Sequence, residues 1–343
     1  MINDWLQAMG TVSGQKAAQA AALKDKSSAK AFGITSANVE QVVQERSQLL
    51  QSLLPAFSQF CQNRLHTPID KMLPMLWDLW LPLAVKIASQ HQKLQRPFVQ
   101  GILGSQGTGK TTMCQVLGLI LQELGYCSVS LSLDDLYKTY HERLELTQAD
   151  PRLIWRGPPG THDVDLGINV LEQIRQSQTP VSIPRFDKSA YGGAGDRTEP
   201  EIVEKVDILL FEGWFVGVRP IDPLVFDDAP TPIITDADKA FARDTNIRLS
   251  EYLPLWERLD SLIVLYPQDY RYSVEWRKQA ERQMIAAGKS GMTDAEIERF
   301  VNYFWRSLHP ELFIKPLAQS ASWVDLVIEI DQDHRLTLAK VRK

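Results

Sequence analysis

Gly104-Ser105-Gln106-Gly107-Thr108-Gly109-Lys110-Thr111, followed by Thr112, fits in full the pattern GxxxxGK ending in Ser or Thr. It lies between a short apolar run, FVQGILG (98–104), and a helical run, 110–124, which is the context this motif requires. Its glycines let backbone N–H groups curl around a β-phosphate, and the helix N-terminus adds a positive dipole end. Lys110 supplies a point charge, and the Thr111 hydroxyl is a ligand for Mg²⁺. These residues point to binding of a nucleoside triphosphate with Mg²⁺. NKxD, DxxG and LSGGQ are missing from the sequence, which argues against a GTPase or a transporter ATPase.

A second group sits at the ends of two apolar runs. CSVSLSL (127–133) ends in Asp134-Asp135 within LSLDDLYK, and VDILLFEG (206–213) ends in Glu212. A kinase needs a carboxylate to take the acceptor's proton, in line with the γ-phosphate. Strands of such a sheet end over one crevice, so Asp134 is placed as the base, shared with the magnesium shell. Asp135 either caps the following helix or reaches that shell. Glu212 either holds Mg²⁺ through water or orients the base.

Cations gather in three further stretches. WRGPPGTHD (155–163) carries Arg156 and His162 on a rigid turn. PRFDKSAYGGAGDR (184–197) carries Arg185, Asp187, Lys188 and Arg197 around flexible glycines. Such loops suit an acceptor with its own negative charge. In YRYSVEWRKQAERQM (270–284), Lys278 and Arg282 share a helical face with Arg277 beside them, as in a lid that carries arginines to phosphoryl oxygens. Trp155, Trp214, Trp276 and Trp305 read as packing residues.

The elements that must position these groups follow from periodicity. Residues 1–95 read as a helical N-terminal extension, Ala/Gln/Ser/Lys-rich over 11–38 and amphipathic over 39–66 and 69–95. Residues 96–343 alternate strand and helix: strand 179–186 follows helix 164–177, then come helix 236–258, strand SLIVLYP (261–267), a polar lid region (about 270–309) and a terminal hairpin in 325–341. This pattern predicts an α/β protein, a mainly parallel sheet covered on both faces. Lys and Arg number 37 against 42 Asp and Glu, a net charge of −5, which argues against a nucleic-acid or membrane-surface binder. The most apolar stretch, 72–88, is interrupted by Asp78, Lys86 and two prolines, so no membrane partner is expected. Cys61, Cys114 and Cys127 lack metal or disulfide spacing and read as buried, reduced thiols of a cytoplasmic protein. The N-terminus lacks the pattern of a secretory signal.

In order, GSQGTGKTT, LSLDDLYKT, RGPPGTHD, PRFDKSAYGGAGDR, LFEGWFVG and WRKQAERQMIAAGKSGMTDAEIERFV resemble the plant and cyanobacterial type of D-glycerate 3-kinase. That type is a branch of the uridine kinase and pantothenate kinase group of P-loop kinases, and the resemblance covers roughly 98–340. It implies a P-loop NTPase three-layer α/β/α fold. The implied reaction is MgATP plus D-glycerate giving ADP and 3-phosphoglycerate, the closing step of photorespiratory carbon recovery. It further implies Asp134 as base, Glu212 at the magnesium site, and Arg277 and Arg282 as phosphate clamps. Pantothenate, a nucleoside or a sugar phosphate are the alternative acceptors. From a different class, the chain would be a P-loop ATP-binding regulator without kinase activity, which has no use for Asp134 or the lid cations.

Overall fold

The computed structural model describes residues 11–286 and 291–341. Residues 1–10, where the leader pattern was sought, and 287–290, within the last of the family-like motifs, lie outside them.

Six strands form the main sheet, in the order β2 (Ser128–Ser132), β5 (Ile208–Gly213), β1 (Phe98–Gly104), β6 (Ser261–Pro267), β7 (Leu326–Ile330) and β8 (Leu336–Val341). All neighbours are parallel except the terminal β7–β8 hairpin. Every residue of β1 and β5 is buried, as expected for strands covered on both faces. Alternation along β5 divides the core: Leu209 and Phe211 enter one cluster, Ile208 and Leu210 the other.

The N-terminal extension is helical: α1 (Val12–Lys24), α2 (Lys26–Phe32), α3 (Val39–Phe60), α4 (Ile69–Met75) and α5 (Leu81–Leu94), with π-helical turns at Cys61–Leu65 and Leu76–Trp80. The P-loop helix α6 (Lys110–Glu123) packs Met113, Val116, Leu117 and Ile120 into one core with Phe57, Trp80, Leu83 and Ile87 of that extension. The opposite face is covered by α8 (Val164–Arg175), then α9 (Asp236–Arg248), α10 (Leu253–Trp256) and α13 (Pro310–Gln319), whereas α7 (Tyr140–Ala149) packs Leu146 against a separate cluster of Leu153, Phe241, Tyr303 and Phe304. The stretch expected to form a lid is a pair of helices, α11 (Tyr272–Ala286) and α12 (Asp294–Ser307).

Three expectations need correction. The strand read at 179–186 is β3 (Val181–Asp187), but it leaves the main sheet and pairs antiparallel with β4 (Asp196–Val203) as a separate ribbon. Residues 69–94 run as one continuous helical stretch, long and apolar enough by length and composition to cross a bilayer; 56% of its most apolar window is buried in the protein. Cys61 and Cys114 are buried as expected, whereas Cys127 is exposed.

Candidate active site

The nucleotide end is built by the β1–α6 turn. Gly104 sits where a Cβ would fall 2.5 Å from the Thr108 hydroxyl, and Gly107 adopts φ +81°, so a side chain at either position would strain the loop. Thr108 Oγ1 and Lys110 Nζ both donate to the Ser105 carbonyl, at 2.8 and 3.1 Å, which curls the loop upon itself. Ser105 Oγ and Gln106 Oε1 are buried without a hydrogen-bond partner among the described residues, a cost normally met by a ligand. Burial holds the Lys110 ammonium below its ordinary pKa, opposed by Glu212 and Asp134.

Register brings the carboxylates to this loop. Ser132 of β2 pairs with Glu212 of β5, and Thr111 Oγ1 donates to Glu212 Oε1 at 3.0 Å. Past Ser132 the chain enters a 3₁₀ turn, Leu133–Leu136, whose capping box separates the two aspartates. Asp135 accepts from the Ser132 N–H (3.0 Å), the Phe186 N–H (3.3 Å) and Arg185 (3.2 Å). Asp134 instead lines the cavity, where it accepts from the Tyr137 hydroxyl at 2.9 Å and Lys188 Nζ at 2.5 Å. Burial pushes the Asp134 carboxyl up, but Lys188 and the two hydrogen bonds outweigh it and hold the group below the usual carboxylate range. It is therefore ionised at neutral pH.

The cavity holds about 980 Å³ and runs from Gln106, Lys110 and Thr111 past Asp134 and Glu212 to Arg156 and the Gly192–Ala194 loop. Of the residues expected to meet the acceptor, Arg156 and Lys188 line it. The others do not. Arg185 is spent on Glu201 (2.5 Å) and Asp135, and Arg197 on Asp163 (2.7 Å) and the Tyr137 carbonyl (3.0 Å). Asp187 caps Ser189 at 2.8 Å. His162 is buried, stacked on Tyr137 at 4.5 Å between centroids, with Nδ1 2.8 Å from the Tyr252 hydroxyl. Burial pushes its pKa down to about 3, so the ring is neutral. These groups bind the β3–β4 ribbon and the 155–163 loop to the turn that carries Asp134.

The lid cations divide in the same way. Arg277 lines the cavity, paired with Glu281 at 2.5 Å, and its Nε is buried without a partner among the described residues. Arg282 pairs with Asp294 at 2.8 Å and is well exposed, and Lys278 pairs with Glu298 at 2.7 Å; neither lines the cavity. Trp276 packs under the P-loop, donating to the Gln332 carbonyl at 3.0 Å, and His334 Nε2 lies 2.9 Å from the Gly107 carbonyl. Trp155 and Trp214 line the cavity with Phe300 and Phe304.

Sequence reasoning missed Arg143 and Tyr137. Arg143 falls in KTYHERLELTQ, which reads as a solvated helix, and only its packing on the 194–195 backbone shows its burial. Tyr137 follows Asp134 by three residues, the spacing at which a 3₁₀ turn stacks side chains.

Thr111, Glu212 and Asp134 offer hydroxyl and carboxylate oxygens, the hard donor set that suits Mg²⁺. Among the described residues no cluster of three His, Cys, Asp or Glu forms an all-protein metal cage.

No family model matches the chain. It is 36% identical over 218 residues to an uncharacterised kinase of Schizosaccharomyces pombe, covering 61% of this chain and 79% of that one. To the chloroplastic D-glycerate 3-kinase of Arabidopsis thaliana it is 31% identical, over 71% of this chain and 54% of the relative, so it spans about half that relative's length. The solved D-glycerate 3-kinase of Cryptococcus neoformans superposes with a TM-score of 0.69 at 26% identity, covering 77% of this chain and 99% of that one. With its P-loop, its parallel sheet and its carboxylates at the strand ends, the chain belongs to the D-glycerate 3-kinase type of P-loop kinases, phosphotransferases that act on an alcohol group.

Proposed function

We propose that this kinase transfers the γ-phosphoryl group of ATP to the primary hydroxyl of D-glycerate, giving 3-phosphoglycerate, with Asp134 as the base. The observation that carries the proposal is the ionised Asp134 carboxylate, which shares one cavity with the P-loop on one side and Arg156 on the other. A carboxylate has about four lone-pair sites, and Tyr137 and Lys188 take one on each oxygen. The remaining ones face the cavity and accept the hydroxyl proton as the oxygen attacks. Lys110 and the P-loop backbone hold the triphosphate, and Arg277 and Arg282 meet the transferring group when the lid closes. Thr111, Glu212 and Asp134 would hold Mg²⁺, which when bound offsets the charge on the phosphate oxygens. The names carried by the Arabidopsis and Cryptococcus relatives support the acceptor.

A larger acceptor such as pantothenate is the second reading, favoured by the apolar end of the cavity, whose lining of Leu153, Trp155, Trp214, Phe300 and Phe304 suits a longer, partly apolar acceptor. ADP release by the purified protein, measured with D-glycerate, pantothenate, uridine and ribulose 5-phosphate, tests both. The expected result is turnover with D-glycerate well above the ATP-only background. D-glycerate at background defeats the first reading, and pantothenate as the sole active acceptor establishes the second.

A further inference from the structure

Two guanidinium groups on the cavity wall, Arg143 and Arg156, make no ion pair with a carboxylate among the described residues. Arg143 donates to the carbonyls of Lys138, Ala194 (2.7 Å) and Gly195 (2.6 Å). Arg156 donates to those of Gly193 (2.7 Å) and Ala194 (2.8 Å). The pair thus converges on one oxygen, that of Ala194, and every hydrogen bond either makes among the described residues ends on a neutral dipole. Phe186 packs against both, its centroid 5.2 Å from the Arg143 guanidinium carbon and 5.5 Å from that of Arg156. Arg185 and Arg197, by contrast, are each spent on carboxylates. Two adjacent, partly desolvated cations held only by carbonyls leave positive charge facing the cavity, where an incoming anion gains charge-assisted hydrogen bonds. Burial lowers the pKa of Arg143 and the neighbouring Arg156 lowers it further, while Asp196 and Glu142 nearby offset only part of this.

Arg156 also stands over the ring of Tyr137, 5.9 Å from its centroid, and the hydroxyl of that ring is bonded to Asp134. A ligand with its hydroxyl at Asp134 therefore reaches Arg156 across a single tyrosine. We propose that Arg156, backed by Arg143 and oriented by the Gly193–Gly195 carbonyls, receives the anionic group of the acceptor. This pair, rather than Arg185 or Arg197, sets a preference for carboxylate-bearing alcohols. The inference rests on the reading of Asp134 as the base that meets the acceptor hydroxyl. It makes Arg156 a specificity residue and Arg143 a positioning residue behind it. The other anion the cavity admits is the triphosphate, and the test separates the two.

Initial rates are measured for wild type, Arg156→Gln and Arg156→Lys on two acceptor pairs, D-glycerate with glycerol and pantothenate with pantothenol. Within each pair a carboxylate is exchanged for a neutral hydroxymethyl group. The ratio of kcat/KM within a pair cancels any difference in folded fraction between preparations. Wild type is expected to favour the carboxylate member of one pair by about 10²-fold or more, as for a site built to pair that group. Arg156→Gln is expected to bring that ratio within about tenfold of unity, and Arg156→Lys to fall between. The inference is overturned by wild type with no carboxylate preference in either pair. It is equally overturned by Arg156→Gln with the wild-type ratio, which is how a triphosphate clamp would behave, both rates falling together. A preference carried by pantothenate alone refutes D-glycerate as acceptor and upholds the anion site.

Discussion

Replacing Asp134 by Asn removes the base while disturbing little else, and the structure sets the size of each effect. A positioned general base contributes about 10²–10⁴-fold. At 1.36 kcal/mol per decade, kcat should fall by roughly 3–5 kcal/mol of transition-state stabilisation. The fold should scarcely notice. The Tyr137 hydroxyl keeps an oxygen acceptor in the Asn amide, and Lys188, whose side chain is 61% exposed, returns to water. Exposed ion pairs contribute about 1 kcal/mol or less, so the melting temperature should move by a few degrees at most. The effect on nucleotide has a definite sign. Asp134 is a counter-charge to both Lys188 and Lys110, so its loss leaves more positive charge for the triphosphate, and ATP affinity measured without Mg²⁺ should hold or improve. Coupled ADP release gives kcat, a fluorescent nucleotide titration gives affinity, and a thermal melt controls for folding. A variant that keeps more than about a tenth of kcat, against the 10²-fold minimum for a base, refutes the assignment. A tenfold loss of ATP affinity with kcat preserved places Asp134 in the nucleotide site instead.

Gly107→Ala should weaken ATP binding by about tenfold or more: φ is +81° and the new Cβ would lie 2.8 Å from Trp276 Cβ, and a left-handed non-glycine residue alone costs about 1–2 kcal/mol. Unchanged affinity would show that the loop relaxes freely. Glu212→Gln should raise the half-saturating Mg²⁺ concentration by about 10–100-fold, and an unchanged midpoint in a magnesium titration removes Glu212 from the metal site. Stability should fall in acid through His162 and His309, which burial pushes down to about 3 and about 4 from an ordinary 6.5. The unfolded chain binds protons there that the folded chain refuses, so stability is full above 6.5 and declines as pH falls toward 4. A melting temperature that is flat across that window refutes their burial as neutral rings.

What could be read in advance was whatever has a local pattern. The P-loop carries its own spacing, β1 and β5 are unbroken apolar runs, and the order of motifs along the chain already implied the sheet. What stayed hidden depended on distant partners. Asp134 reads as the base from its place at a strand end, but the role of Asp135, cap or magnesium shell, stayed open; the turn after β2 gives Asp135 to the backbone of Ser132 and leaves Asp134 to the cavity. Arg185 and Arg197 looked as useful as Arg156, because nothing in a glycine-rich loop shows that Glu201 and Asp163 fold back onto them. β4 went unseen because it is an exposed ribbon, DRTEPEIV, with charges and a proline where a buried strand shows periodicity.

Helix α2 lies against strand β8, so residues 26–32 meet residues 336–341 across nearly the whole length of the chain. Such a contact is made late, since about three hundred residues of loop must close before it forms. During synthesis, the apolar faces of Phe57, Trp80 and Ile87, destined for the P-loop helix and its sheet, emerge long before β6 and β7 exist to complete that core. The nascent chain therefore carries an unburied hydrophobic surface for most of its translation, the condition in which holding chaperones are engaged. Yield on expression should thus respond to chaperone supply and growth temperature more steeply than the melting point of the finished protein would suggest.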